Sequence, residues 1–214
     1  MPVYTRESPS PRYTELLTMY RTMHDHGDSN YGIAAQDMFS GISLPPQAIR
    51  IRNMIKELGA ETTLDYGCGK AMLYNSSPLQ LGDESYNSVK EFWGVKETML
   101  FDPGYKPYSA FPTKKADLVI STDVLEHCPE QDVTWILKEI FSFASKGVYL
   151  NISSYPARKT LPNGENAHCT VRPQHWWQGA LNYVGALHPH LRWQCWLDVV
   201  TNGQKEAILI TQTH

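Results

Sequence analysis

Apolar residues recur along this chain in two rhythms. Across residues 13–24, Leu16, Leu17, Met19, Tyr20 and Met23 keep the three- and four-residue spacing of one helix face. Residues 45–58 are predicted as a second helix, with Ser43 as its cap and Gly59 as its stop. Further helices are predicted at 88–93, 130–145 and 174–187; in the second of these Val133, Ile136, Leu137, Ile140 and Phe141 share a face. The other rhythm is the short apolar run of a strand. Such runs stand at 61–66, 98–101, 116–121 and 147–152, and Ala116-Asp117-Leu118-Val119-Ile120-Ser121 is of the continuous kind buried on both faces in a parallel sheet. Two last runs, 193–200 and 207–212, flank Thr201-Asn202-Gly203, and Asn-Gly between apolar runs signals a hairpin. Between these elements, 24–44 reads as an ordered loop, 74–86 as irregular, and 1–12, with three prolines, as a loose tail.

Strands alternating with helices imply an α/β fold: a doubly wound, mostly parallel, Rossmann-like sheet with a C-terminal antiparallel hairpin. The chain from Asp102 to Ala116 is too short for a helix plus a strand, because a crossover alone takes roughly a dozen residues. The third strand is therefore expected to be reduced or missing, with six principal strands and an irregular piece at 105–111. Residues 1–59 read as a tail and helical lid, and 60–214 as the ligand-binding domain.

Charge and cysteine usage narrow the partners. The 214 residues carry a formal net charge of −3, so no global basic field draws the chain to nucleic acid or to an anionic membrane. No run approaches the roughly 20 apolar residues of a membrane-spanning helix, and the first dozen residues lack the apolar core of a signal peptide. Cys68, Cys128, Cys169 and Cys195 are scattered without a C-x-x-C pair, which points to a reducing, cytoplasmic setting and away from a zinc module. His24 and His26 form a His-Asp-His run with no third ligand nearby in sequence, and no metal is expected.

The chemistry concentrates in Thr63-Leu64-Asp65-Tyr66-Gly67-Cys68-Gly69-Lys70, a strand end running into a glycine turn. Glycine lets backbone come close to a ligand. The dinucleotide fingerprint G-x-G-x-x-G fails here because Met72 holds the third glycine position. The phosphate loop fails because Lys70 follows the second glycine directly and Ala71 stands where Ser or Thr is needed. Asp65 argues against a phosphate and for a cationic or hydroxyl-bearing ligand. S-adenosylmethionine, with its ammonium, sulfonium and ribose, has that character.

Leu64-Asp65-Tyr66-Gly67-Cys68-Gly69, Leu100-Phe101-Asp102 and the run from Ala116 through Asp123-Val124-Leu125-Glu126-His127 together resemble the class I S-adenosylmethionine-dependent methyltransferases, over residues 60–155. The last run is common in their small-molecule, substrate-diverse branch. The resemblance implies methyl transfer to a small molecule or glycan, with oxygen as the expected acceptor atom. It implies that Asp65, Gly67, Cys68, Gly69, Asp102 and Asp123 contact the cofactor, with Asp65 near its ammonium and Asp102 on its ribose. A departure is the long interval between Asp65 and Asp102, where the family's acidic residue usually follows after roughly 20 residues. A nucleic-acid methyltransferase and a catalytically silent cofactor-binding partner are the competing readings.

Base candidates are His127, on the turn after the fourth strand, and His168, in the long polar loop 159–177. Arg172 in the same loop is expected to face the reacting methyl and orient an anionic or carbonyl group of the substrate. Trp176 and Trp177 divide between core packing and ring stacking.

Overall fold

The computed structural model describes residues 3–212. In chain order, helix α1 spans Pro11–His26 and helix α2 Ala48–Leu58. Strand β1 (Thr62–Tyr66) leads through the glycine turn to a single-turn helix α3 (Met72–Asn75), a small hairpin of β2 (Leu79–Leu81) and β3 (Glu84–Tyr86), helix α4 (Val89–Trp93) and strand β4 (Glu97–Phe101). Strand β5 (Ala116–Thr122), helix α5 (Glu130–Ser142), strand β6 (Ala144–Ser153), helix α6 (Gln174–Ala186) and the strands β7 (Arg192–Thr201) and β8 (Gln204–Thr211) complete it.

The main sheet has six strands in the order β4-β1-β5-β6-β7-β8, parallel except for the β7–β8 pair. The third strand is missing, as the short interval predicts: Lys106–Tyr108 makes only a 3-10 turn. The closing hairpin turns on Asn202 and Gly203, both at positive φ, as a two-residue turn between twisted strands requires.

Alternation along the strands divides the core. In β5, Leu118 and Ile120 face α2 and α4, while Val119 faces α5 and α6. Tyr149 in β6 joins the first side and Val148, Leu150 and Ile152 the second. Helix α2, placed with the N-terminal segment by the sequence reading, thus packs on the sheet. It stops where Gly59 adopts the left-handed conformation, as predicted. Ser43 does not cap it: a 3-10 turn, Pro45–Gln47, precedes α2, and no side chain caps that turn. The hairpin β2–β3 went unread because three-residue strands carry no alternation long enough to detect. Among the described residues no helix is long and apolar enough to cross a membrane.

The expected loose tail is docked. Ser10 is fully buried and caps α1, its hydroxyl oxygen accepting from the Tyr13 N–H at 3.0 Å. Its own N–H and O–H both donate to the Asp132 carboxylate in the first turn of α5, at 3.0 and 2.5 Å, and the Trp135 indole N–H donates to the same group at 2.8 Å. Arg6 forms an ion pair with Glu139, donates to the Tyr66 hydroxyl, and lies 4.5 Å over the Phe111 ring. The prolines mark extended backbone there, and polar contacts with α5 fix it.

Arg6 therefore carries stability. Arg6→Ala would leave the half-buried Glu139 without a counter-charge, held only by the Tyr66 hydroxyl, and strip cover from Phe101, Phe111 and Trp135. A loss of about 2 kcal/mol or more is expected in chemical denaturation. An unchanged midpoint would mean that the segment is loose after all.

Candidate active site

Three acidic residues stand at the carboxyl ends of three neighbouring strands: Asp102 after β4, Asp65 as the penultimate residue of β1, and Asp123 just after β5. In an open parallel sheet this edge is where ligands gather.

The turn after β1 is stitched to β4. The Phe101 carbonyl accepts from the N–H groups of Gly67 and Cys68, at 2.7 and 3.1 Å. Asp102 closes the stitch, with one carboxylate oxygen taking the Gly69 N–H and the other the Gly104 N–H, each at 2.8 Å. Gly67 and Gly69 have positive φ, and their missing side chains matter. A Cβ on Gly67 would stand 2.3 Å from a Val124 methyl, and one on Gly69 2.5 Å from the Phe39 carbonyl oxygen. The sequence reading gave that room to a ligand; the protein's own Val124 and Phe39 occupy it. Phe39 is held there because its carbonyl accepts the Lys70 N–H at 3.0 Å, while the Lys70 ammonium donates to the His24 carbonyl. Cys68 is buried, its thiol turned toward the Gly69 carbonyl and its pKa pushed up by burial.

Beside the turn lies a small recess lined by Ser40, Gly41, Asp65, Gly67, Cys68, Tyr74 and Thr122, among others. Asp65 is its charged wall. One oxygen accepts from the Tyr74 hydroxyl at 2.8 Å. Burial pushes the Asp65 carboxyl up to about 7, Tyr74 pulls it down, and the charge of Asp102 adds to the rise. Burial raises the Asp102 carboxyl too, against the backbone N–H groups that hold it down. Two neighbouring acids that resist ionisation favour a ligand bringing positive charge or hydroxyl donors. Aromatic residues gather beside Asp102, against Gly104: His24 stacks on Tyr105 with centroids 4.8 Å apart and meets Phe39 at 4.5 Å. Burial and the nearby Lys70 bring the His24 imidazole down to about 4.

The second focus lies at the end of β5. Asp123 has a φ of 59°, a left-handed conformation that Asp tolerates better than most residues. His127 and His168 meet edge to face, ring centroids 4.8 Å apart. Their approach depends on Thr170, whose N–H donates to the Glu126 carbonyl and whose hydroxyl donates to the Cys128 carbonyl. Asn166 pins the same loop by bonding Ala157 at both its N–H and its carbonyl. Burial lowers the His127 pKa, helped by His168 and opposed by Asp123. Glu126 is fully buried; burial and the charge of Asp123 drive its pKa up.

His127 and His168, rivals in the sequence reading, are thus neighbours. Arg172 does not join them. Its guanidinium is exposed and pairs with Glu130 at the start of α5, Nε to Oε2 being 2.7 Å. Glu130 supplies a carboxylate within reach in the first turn of α5, a partner that the loop sequence alone does not show. Trp177 is fully buried core, and Trp176 packs partly against it. Sequence reasoning did not assign Tyr74, Phe39 or Tyr20 to the site; Tyr20 belongs to a helix face that reads as packing, and Phe39 and Tyr74 fall in stretches read as loop and irregular.

No family model matches the chain, and a search of curated protein sequences finds no match. Among solved structures the chain is similar to one described as an O-methyltransferase family protein from Burkholderia thailandensis. The TM-score is 0.41 and the identity 14%, over 94% of this chain and 67% of that one. A likeness that remote carries no argument about function.

Asp65 makes the free protein's stability depend on pH. Its folded pKa of about 7 lies above the ordinary 3.8, so its ionisation opposes folding. The contribution of the protonated acid is complete below about pH 4 and is lost as pH rises through about 7. Asp65→Asn removes this loss while keeping an acceptor for Tyr74. Melting curves of the two proteins should match best near pH 4 and diverge toward pH 8, where the variant gains on the order of a few kcal/mol. A constant difference across that range would contradict the assignment.

Proposed function

We propose that this chain binds S-adenosylmethionine and transfers a methyl group to a small molecule or glycan, on oxygen. The observation that carries the reading is the pair of carboxylates, buried Asp65 and half-buried Asp102, flanking a positive-φ glycine turn at the ends of two adjacent parallel strands. When bound, the cofactor supplies an electrophilic methyl on a sulfonium.

The chain's own residues have three tasks. Asp65 holds the ammonium of the methionine part: the recess it lines has an acid with a spare acceptor and no competing cation among its lining residues. Asp102 keeps one lone pair on each oxygen after bonding Gly69 and Gly104, which suits a vicinal diol. His127 and His168 stand ready to take a proton from an acceptor hydroxyl, at the substrate side of the same strand ends. Alignment is the larger part of such catalysis.

The recess accommodates the charged end of the cofactor, and the whole molecule is larger. Residues 38–44 are the segment that must shift, since Phe39 and Ser40 border the turn and Gly41 has φ 85° with open space around it. In this reading α1 and the following loop act as a lid that closes over bound cofactor. The enzyme works in the cytoplasm, where its four free cysteines stay reduced.

Titration calorimetry with S-adenosylmethionine and S-adenosylhomocysteine tests the proposal. One site per chain is expected. Asp65→Asn should weaken it at least tenfold, because an ionic hydrogen bond contributes roughly 1.5–3 kcal/mol. The same variant should melt no lower than the wild type at pH 8, so a misfolded protein cannot mimic the result. Absence of binding at millimolar ligand, with a folded wild type, would end the reading.

A further inference from the structure

Asp123, His127 and His168 each offer a ligand atom, and these atoms lie within 4.8 Å of one another. The three come from a strand end, a 3-10 turn and a loop distant in sequence, so local chain geometry alone does not explain the convergence. We propose that they form a binding site for one first-row divalent transition-metal ion, zinc foremost, held by two imidazoles and a carboxylate with at least one position open.

The hydrogen bonds around the two histidines prepare them for this. The Nδ1 of His127 stands 2.9 Å from the Ala167 carbonyl oxygen, and that of His168 2.6 Å from the Tyr155 carbonyl oxygen. A carbonyl only accepts, so both Nδ1 atoms carry the hydrogen. Each ring's remaining nitrogen, Nε2, is then a bare lone pair. Metal-binding histidines are held in this way, the outer nitrogen fixed to a carbonyl or carboxylate so that the inner one is aimed and basic. Tyr20 fits the same tautomer: its hydroxyl oxygen, 2.8 Å from His127 Nδ1, shares that hydrogen as an acceptor, while its own O–H donates to the Ala167 carbonyl at 3.4 Å.

A second, independent feature points to a cation. Glu126 is fully buried, and only one of its oxygens is used: Oε1 accepts from the Ser153 N–H at 2.5 Å. Its Oε2 has no hydrogen-bond partner among the described residues. This carboxylate adjoins Asp123. Two acids packed together, one with an orphaned oxygen, are an arrangement that a bound cation relieves.

The donor set selects the class of ion. Magnesium and calcium take oxygen ligands, and two imidazoles would be foreign to them. Two histidines and one carboxylate suit zinc or ferrous iron and leave open positions for water or substrate. Ligands about 2.0–2.2 Å from a tetrahedral zinc are about 3.4 Å apart, so atoms now within 4.8 Å of one another must close by up to about 1.4 Å. Asp123 is half-buried, and its short side chain can make that move by a rotamer change. With both Nε2 atoms on the metal neither histidine would serve as the base; the ion would instead lower the pKa of an acceptor hydroxyl bound at its open position. That use of the metal rests on the methyl-transfer reading; the metal site itself does not.

Zinc titration of EDTA-stripped, dialysed full-length protein tests the site. One ion per chain is expected, with a Kd below about 1 μM, and His168→Ala and Asp123→Asn should each weaken it at least about tenfold. Asn is accepted at left-handed φ as readily as Asp, so the second variant keeps the fold even if the first does not. Cobalt substitution should give visible ligand-field bands with no thiolate charge transfer. No binding at 100-fold higher zinc, unchanged affinity in both variants, or a thiolate band implicating Cys128 and Cys169 would each overturn the proposal. Titration with S-adenosylhomocysteine is read separately, so failure of one site does not disguise failure of the other.

Discussion

One backbone carbonyl organises this protein. The Phe101 oxygen receives two N–H groups from the turn after β1, and the next residue, Asp102, receives a third from Gly69. A turn that would otherwise flex between strand and helix is fastened to its neighbouring strand at three points. The recess exists because this fastening holds Asp65, Gly67 and Cys68 along one wall. The aromatic cover exists because Gly104, bonded to Asp102, lies close enough to Tyr20 and His24 for them to pack on it.

The N-terminal segment converts that edge of the sheet from a surface into an interior. Ser10 and Arg6 anchor it to α5, on the far face of the sheet. From there α1 crosses to the strand ends, and Phe39 drops onto the glycine turn. The result buries carboxylates that would be comfortable in water. Such burial opposes folding unless something compensates, and the large apolar cores on both faces of the sheet provide the surplus. A site that is unfavourable when empty becomes favourable when its missing charge arrives, and this is the usual physical origin of tight, selective binding to buried acids.

Much of this was legible from the chain alone. The six strands, the closing hairpin and the absent third strand follow from apolar runs, an Asn-Gly pair and an interval too short for a crossover. So did the acidic residues at strand ends. What could not be read depended on contacts between distant segments. Arg6 and Ser10 look like members of a proline-rich tail until Glu139 and Asp132 are placed beside them. Arg172 looks free to reach a substrate until Glu130 stands within a hydrogen bond of it. The meeting of His127 and His168 depends on Thr170 reaching Glu126, and no periodicity encodes that. The glycines read as close-approach positions, and in the folded chain Val124 and Phe39 are the groups that stand against them. A missing Cβ records that room is needed and is silent on who uses it.

The missing third strand has a further cost and a remedy. Without it, β4 becomes an outer strand, pairing on its other side with no strand among the described residues. Such a border exposes backbone donors and acceptors that a strand from another molecule could recruit. Here the border is five residues long and opens on Glu97, which pairs with Lys114 in the segment running alongside toward β5. Beyond Phe101, the Asp102 N–H is already taken by the Tyr108 carbonyl. A foreign strand would find little length to grip and charge at its entrance. The economy of a shorter sheet is thus tolerated without making the molecule prone to self-association through that side.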